Sequence, residues 1–249
     1  MSAAVIVGAG PGLGVSLVRR CARAGLATGF VARRVEAVAG YQRTLAEEGL
    51  DTRSEVADAA DPVALTAALD RLEAAQGAPE LMIYNAAIVE PSRFVTLSGI
   101  ETAQYGDASG WRARGAPMDA EALTDSFRAN VAGALTAARQ VAPAMIQRGR
   151  GTILLTGGVL SFGPWIEWGA VSLGKAALRS LGHSLALELA PSGVQVSTVA
   201  IHGTMAQDTP YGPERVADFY WHLHRRPAED WTPDAHFKVA EDDGKDPDR

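Results

Sequence analysis

The chain has 249 residues, 47% of them hydrophobic and 21% charged, which suits one large α/β unit with a buried core. A net charge of −6 argues against nucleic acid or an anionic membrane surface as a partner, and the single cysteine, Cys21, excludes an intramolecular disulfide and any cysteine-based metal cluster. No apolar stretch is long enough to span a bilayer, and the first residues lack the basic start and cleavage site of a secretory signal, so the cytoplasm is the expected location.

Short β-rich runs alternate with longer Ala, Leu and Arg patterns, the arrangement of βαβ units around a parallel sheet. The first run, residues 3–7, leads into glycines and then a helix over residues 13–24 closed by Gly25. A strand at 28–32 and a helix at 35–48, ended by Gly49, come next. "TRSEVADAADP" supplies the third strand, and Asp61-Pro62 caps a helix that runs to Ala75. "ELMIYNAA" is the fourth strand. Residues 119–148 predict one long helix, "GTILLTGG" a fifth strand, residues 169–190 a second long helix, and "VQVSTVAI" a sixth strand. The usual last strand is reduced to "HFKV". This order predicts an α/β fold, a doubly wound parallel sheet of Rossmann type, in a single domain over residues 1–240. Residues 91–117, rich in Gly, Ser and charge, form a surface excursion near the C-terminal ends of the strands, the side where such sheets hold ligands. Residues 241–249 are an acidic, disordered tail.

"VIVGAGPGLG" places Gly8, Gly10, Gly12, Leu13 and Gly14 between a strand and a helix. Glycines there let the backbone turn tightly and approach a pyrophosphate, whose charge is met by free N–H groups and the positive end of the helix dipole. After the second strand, "VARR" offers Arg33 and Arg34 where a binder of the 2′-hydroxyl form carries an acidic side chain. Guanidinium forks suit a 2′-phosphate, so NADP(H) is favoured over NAD(H).

These residues resemble the short-chain dehydrogenase/reductase family through most of the chain. The family's glycine pattern matches Gly8, Gly12 and Gly14, and its adenine-contacting aspartate matches Asp58 in "VADAAD". Its N-N-A-G motif matches only in part, as Tyr84-Asn85-Ala86-Ala87, keeping Asn85. The helix asparagine matches Asn130, and the lysine of Y-x-x-x-K matches Lys175. By the same alignment the family's catalytic tyrosine falls on Val171 and its serine on Gly158. The usual Pro-Gly after the sixth strand is Ile201-His202. The stretch "FYWHLHRRPAEDWTP" resembles that of divergent bacterial members that also commonly lack the tyrosine.

The resemblance implies that Lys175 binds the nicotinamide ribose and that Asn130 organises the helix and a water. Valine cannot transfer a proton, so a substitute donor is expected on the same rim: His202, Ser161, Ser172, Tyr84, Tyr105 or Tyr211. His202 titrates near neutrality, and Ser161 could orient a carbonyl. Trp165 and Trp168 could wall an apolar pocket. His222 and His224 stand two apart on a helix and do not share a face, so no metal site is expected. The implied function is reduction or oxidation of a carbonyl, imine or conjugated double bond in a small, partly apolar molecule. Alternatives are a non-redox isomerase, dehydratase or cyclase, and a non-catalytic dinucleotide-binding protein. The family also implies a homodimer through the two long helices, with a homotetramer as the other assembly.

Overall fold

The computed structural model describes residues 2–99 and 116–239. Among these, β1 (Ala3–Val7), β2 (Ala27–Ala32), β3 (Thr52–Val56), β4 (Leu81–Tyr84), β5 (Gly151–Thr156), β6 (Val194–Ile201) and β7 (Asp234–Phe237) form one parallel sheet in the order β3-β2-β1-β4-β5-β6-β7. The chain builds outward from β1 to β3, then returns to the other side of β1 as β4. The crevice beyond the ends of β1 and β4 is therefore the switch point, where such sheets hold ligands.

Helices cover both faces. Helices α1 (Leu13–Arg23), α2 (Val35–Glu47) and α7 (Pro213–His224) lie on one, and α3 (Pro62–Gln76), α5 (Gly133–Arg148) and α6 (Gly169–Leu189) on the other. In β1, Ala4 and Ile6 join the first layer while Val5 and Val7 join the second, so the strand is apolar throughout instead of alternating. Each large side chain buried in this way contributes about 1.5–3 kcal/mol. Cys21 belongs to the first layer, and burial pushes its thiol up to about 12, as expected of a packing residue. Asp61 caps α3, accepting from Val63 N at 2.9 Å and Ala64 N at 3.0 Å with Pro62 in the first turn.

Two expectations are corrected and one is refined. The helix expected over residues 119–148 runs without a break, but with a π turn inside it: α4 (Ala120–Phe127) passes through Arg128–Ala132 into α5, the backbone staying right-handed helical at each junction. Composition is helical throughout, so the cause is tertiary. The buried Tyr84 hydroxyl donates to the Ala129 carbonyl at 2.5 Å, and a Cβ on Gly133 would lie 2.2 Å from that hydroxyl oxygen. The phenol therefore packs directly against the π turn and the start of α5. The last strand is Asp234–Phe237, paired in parallel with β6, so it starts earlier than "HFKV" and keeps its place. The described part of the excursion is not merely surface, since Ser92 is fully buried and bridges to Trp168.

Candidate functional site

The turn after β1 divides its glycines by role. Gly8 has φ +92°, and a Cβ there would fall 2.2 Å from Ala86 N. A Cβ on Gly14 would meet the backbone of Ala9, so that glycine seats α1 against the turn. Around Gly10 and Gly12 an added Cβ would meet nothing within 4 Å, which leaves the backbone open to a close-lying ligand. Leu13 begins α1, and Gly12 at its N-cap offers no side-chain acceptor to the helix. Asn85 braces this turn: its Nδ2 donates to Gly8 O at 2.9 Å and its backbone N–H to Val7 O at 2.8 Å.

The turn opens into a cleft of about 750 Å³, a volume suited to a cofactor. Arg33, Arg34 and Asp58 line one end, and residues 85–90 with Ser126 and Ala129 line the other. Asp58 is held by the N–H of Ala60, which donates to its Oδ1 at 2.9 Å. Both arginine side chains belong to exposed residues at the entry of α2. The open glycine cradle and the cleft beside it fit a nicotinamide dinucleotide.

Beyond this cleft lie the remaining residues singled out from the sequence. Asn130, in the π turn, clamps one peptide: Oδ1 accepts from Ile88 N at 2.6 Å, and Nδ2 donates to Ile88 O at 3.3 Å and Ser126 Oγ at 3.1 Å. Lys175 is buried in the second turn of α6 and donates from Nζ to Thr156 O at 2.6 Å. Burial pushes its ammonium down to about 8. The Tyr220 hydroxyl, from α7, donates to Thr156 Oγ1 at 2.9 Å and steadies that acceptor residue. Val171, four residues before Lys175, is buried against Trp168 and Leu160. Trp168 is packed in this small cluster, while Trp165 is more than half exposed.

The other nominated proton donors are turned to local partners. Ser161 Oγ donates to Gly158 O at 2.7 Å, and Ser172 Oγ to Trp168 O at 2.8 Å. His202 Nε2 lies 2.8 Å from His236 Nδ1, one ring donating to the other. Burial first, then the neighbouring His236 and Lys238, pull the His202 imidazolium below its ordinary range. Tyr211 packs over Gly203, and its hydroxyl accepts from Val239 N at 3.3 Å. Tyr105 lies outside the described residues. His224 bonds Thr152 Oγ1 at 2.9 Å and packs on Trp221, a structural place. Among the described residues no group of three His, Cys, Asp or Glu is placed to hold a metal ion.

Sequence reasoning missed a clamp on the catalytic side. Glu167 accepts from Arg93, from Ser98 Oγ at 2.7 Å and from Gly99 N at 3.0 Å, while Phe94 packs against Gly169. The Arg93 guanidinium, with Ser98 and Gly99, holds the carboxyl below its usual range. The segment after β4 is thereby fastened across the N-terminus of α6. Arg93 and Glu167 are far apart in the chain, so no local pattern marks them.

A parallel sheet with a glycine turn at its switch point defines a Rossmann-type α/β protein. The chain belongs to the short chain dehydrogenase family, whose model matches residues 2–211; these are oxidoreductases that use a nicotinamide dinucleotide. It is 28% identical over 202 residues to dehydrogenase/reductase SDR family member 4 of Bos taurus, covering 79% of this chain and 63% of the bovine protein. It thus spans somewhat under two thirds of that relative's length. It is 27% identical over 236 residues to cis-4-hydroxycyclohexanecarboxylate dehydrogenase of Sinomonas cyclohexanicum, covering 86% of each chain. Among solved structures it resembles a gluconate 5-dehydrogenase from Burkholderia cenocepacia in complex with NADP and tartrate, at 26% identity and TM-score 0.67 over 83% of this chain and 72% of that one. Among the described residues no helix is long and apolar enough to cross a membrane.

Proposed function

We propose that the chain is an NADP(H)-dependent oxidoreductase acting on a carbonyl, imine or conjugated double bond of a small, partly apolar molecule, with proton chemistry that departs from the family's. The observation that carries the cofactor preference is the pair Arg33 and Arg34 at the end of β2, lining the far end of the glycine cleft. Arg33 and Arg34 stand where an acidic side chain would take a ribose 2′-hydroxyl, and the first acidic residue after them, Glu36, lies in the first turn of α2. The NADP complex of the Burkholderia gluconate dehydrogenase supports the same choice. The departure in chemistry rests on Val171 and Gly158, which fall where the family places its tyrosine and serine. The partly apolar substrate is supported by Phe94, Phe162, Trp165, Ile166 and Met205, exposed on the loops beyond the strand ends.

Calorimetric titration tests the cofactor reading. NADPH should bind at least ten-fold more tightly than NADH; equal affinities, or no binding, would refute it. Absorbance at the reduced-nicotinamide band then tests the redox step, with 4-nitrobenzaldehyde, 3,4-dihydroisoquinoline and 2-cyclohexenone as probes of the three acceptor classes. A non-redox reaction, or nucleotide binding without chemistry, is the second reading. It is favoured by the apolar packing of Val171 against Trp168 and Leu160, and predicts NADPH binding with no oxidation by any probe. A homodimer belongs to the leading reading, supported by Leu135 and Ile146 on α5 and Leu173 and Leu187 on α6, all exposed on outer helix faces. Light scattering after size exclusion would return twice the chain mass.

A further inference from the structure

A tyrosine held by its ring normally finds a partner for its hydroxyl. Tyr84 donates to Ala129 O, Tyr220 donates to Thr156 Oγ1, and Tyr211 takes the Val239 N–H. Tyr41 differs from them: among the described residues its hydroxyl has no hydrogen-bond partner. Its ring is half-buried against the first core layer, and the residue lines the glycine cleft at the end where Arg33 and Arg34 stand. That end holds other uncommitted groups. Neither guanidinium forms a hydrogen bond or ion pair with a described residue, whereas Arg19, Arg20 and Arg23 on α1 are each paired with a carboxylate. Arg34 is also the N-cap of α2 and gives it no side-chain cap, which leaves the positive end of the helix dipole to a ligand. Glu36, in the first turn, is not part of the cleft wall, and the Oδ1 of Asp58, which is, accepts from the Ala60 N–H.

We infer that Tyr41 is a specificity-determining residue for the cofactor, its hydroxyl donating to the 2′-phosphate that Arg33 and Arg34 hold. This rests on the NADP(H) reading above and names a further residue of that site. Arg34, Ala37 and Tyr41 stand at i, i+3 and i+7, so they form one stripe along α2, and all three line the cleft. Helical side chains lean toward the helix N-terminus, which carries the Tyr41 phenol back along the stripe toward Arg34. Ala37, between them, has only a methyl group and leaves that path clear. A phosphate monoester presents three strong acceptor oxygens. Two guanidiniums supply charge and paired donors, and the phenol adds one neutral donor on a ring already fixed by packing, so little side-chain freedom is lost on binding. An unphosphorylated ribose offers no anionic oxygen at that position. Loss of the Tyr41 hydroxyl therefore falls on the phosphorylated nucleotide alone.

Calorimetric titration with 2′,5′-ADP and 5′-AMP isolates the phosphate, because these probes carry no nicotinamide and need no catalysis. Tyr41→Phe keeps the ring and removes only the hydroxyl. It should weaken 2′,5′-ADP and NADPH by roughly 10-fold or more, the scale of one hydrogen bond to a charged group, and leave 5′-AMP and NADH within about two-fold. The wild type gives a second readout. With tyrosine labelled by 13C at Cζ the chain holds five such resonances, and the one missing from Tyr41→Phe should shift with 2′,5′-ADP and much less with 5′-AMP. Equal weakening of all four nucleotides, weakening of none, or a Tyr41 resonance indifferent to 2′,5′-ADP overturns the inference. Wild-type protein that binds 2′,5′-ADP no better than 5′-AMP overturns the cofactor reading and this inference together. A wild type that prefers 2′,5′-ADP, loses the preference with Arg33→Ala and Arg34→Ala, and keeps it with Tyr41→Phe overturns this one alone. Should Tyr41→Phe fail to fold, Tyr41→His assigns the resonance and the wild-type shift decides.

Discussion

At the end of β1, the glycine turn is open where a ligand's phosphates would lie, braced by Asn85, and flanked by Arg33, Arg34 and Asp58. At the end of β5 and the start of α6 the pattern reverses: glycine stands at position 158 and the apolar Val171 in α6, and Lys175 is buried, donating to the Thr156 carbonyl. The two regions share one sheet and lie on the same rim. One holds polar and cationic groups aimed outward, the other an apolar surface with a single amine. On the proposed function, binding a dinucleotide and moving a proton fall to different strands and helices, so a change at one end should leave the other intact.

The largest effect should come from Gly8→Ala, which attacks the cofactor end. A side chain at φ +92°, overlapping Ala86 N, should destabilise the fold by about 3 kcal/mol or more and prevent nucleotide binding, read as a fall in Tm and loss of the NADPH titration. Arg33→Ala with Arg34→Ala should weaken NADPH binding by roughly 10–100-fold, the scale of one charged hydrogen bond, and leave NADH unchanged. A parallel loss for both nucleotides would mean that the arginines do not discriminate. Tyr84→Phe should cost about 1–3 kcal/mol in denaturant unfolding, because the Ala129 carbonyl loses its donor, while NADPH affinity stays near wild type.

Glu167→Gln probes the catalytic end with the smallest global effect. It should raise hydrogen exchange at the Ser92 and Gly169 amides without moving Tm appreciably, since both bonds lie in the segment that Glu167 fastens. Lowering pH should act in the same direction. A carboxyl whose pKa is held down in the fold stabilises above its ordinary value and loses that effect as pH falls through the lowered one. Protection of those amides should accordingly decline below the usual carboxylate range in wild type and stay flat in the variant.

Much of the cofactor end was legible in the sequence because it is local. A glycine turn between an apolar run and a helix, followed by two arginines at the next strand end, is contiguous chemistry. The strands were legible for the same reason, since burial on both faces writes unbroken apolar runs. The π turn was not, because Arg128–Ala132 has ordinary helical composition and its register is set by Tyr84 and Gly133 across the core. The Glu167 clamp and the His202–His236 pair were hidden by separation along the chain. Gly and Ser in residues 91–99 suggested exposure, yet Ser92 is buried by hydrogen bonds to residues 167–170 that no periodicity encodes.

The central claim is that the cofactor platform is kept while position 171 no longer offers a proton donor, and a crystal structure of the NADPH complex tests it most directly. The account predicts the 2′-phosphate between the Arg33 and Arg34 guanidiniums, with Val171 on the substrate-facing side of the nicotinamide C4. A nucleotide phosphate away from both arginines, or a nicotinamide ring held away from Val171, would contradict it.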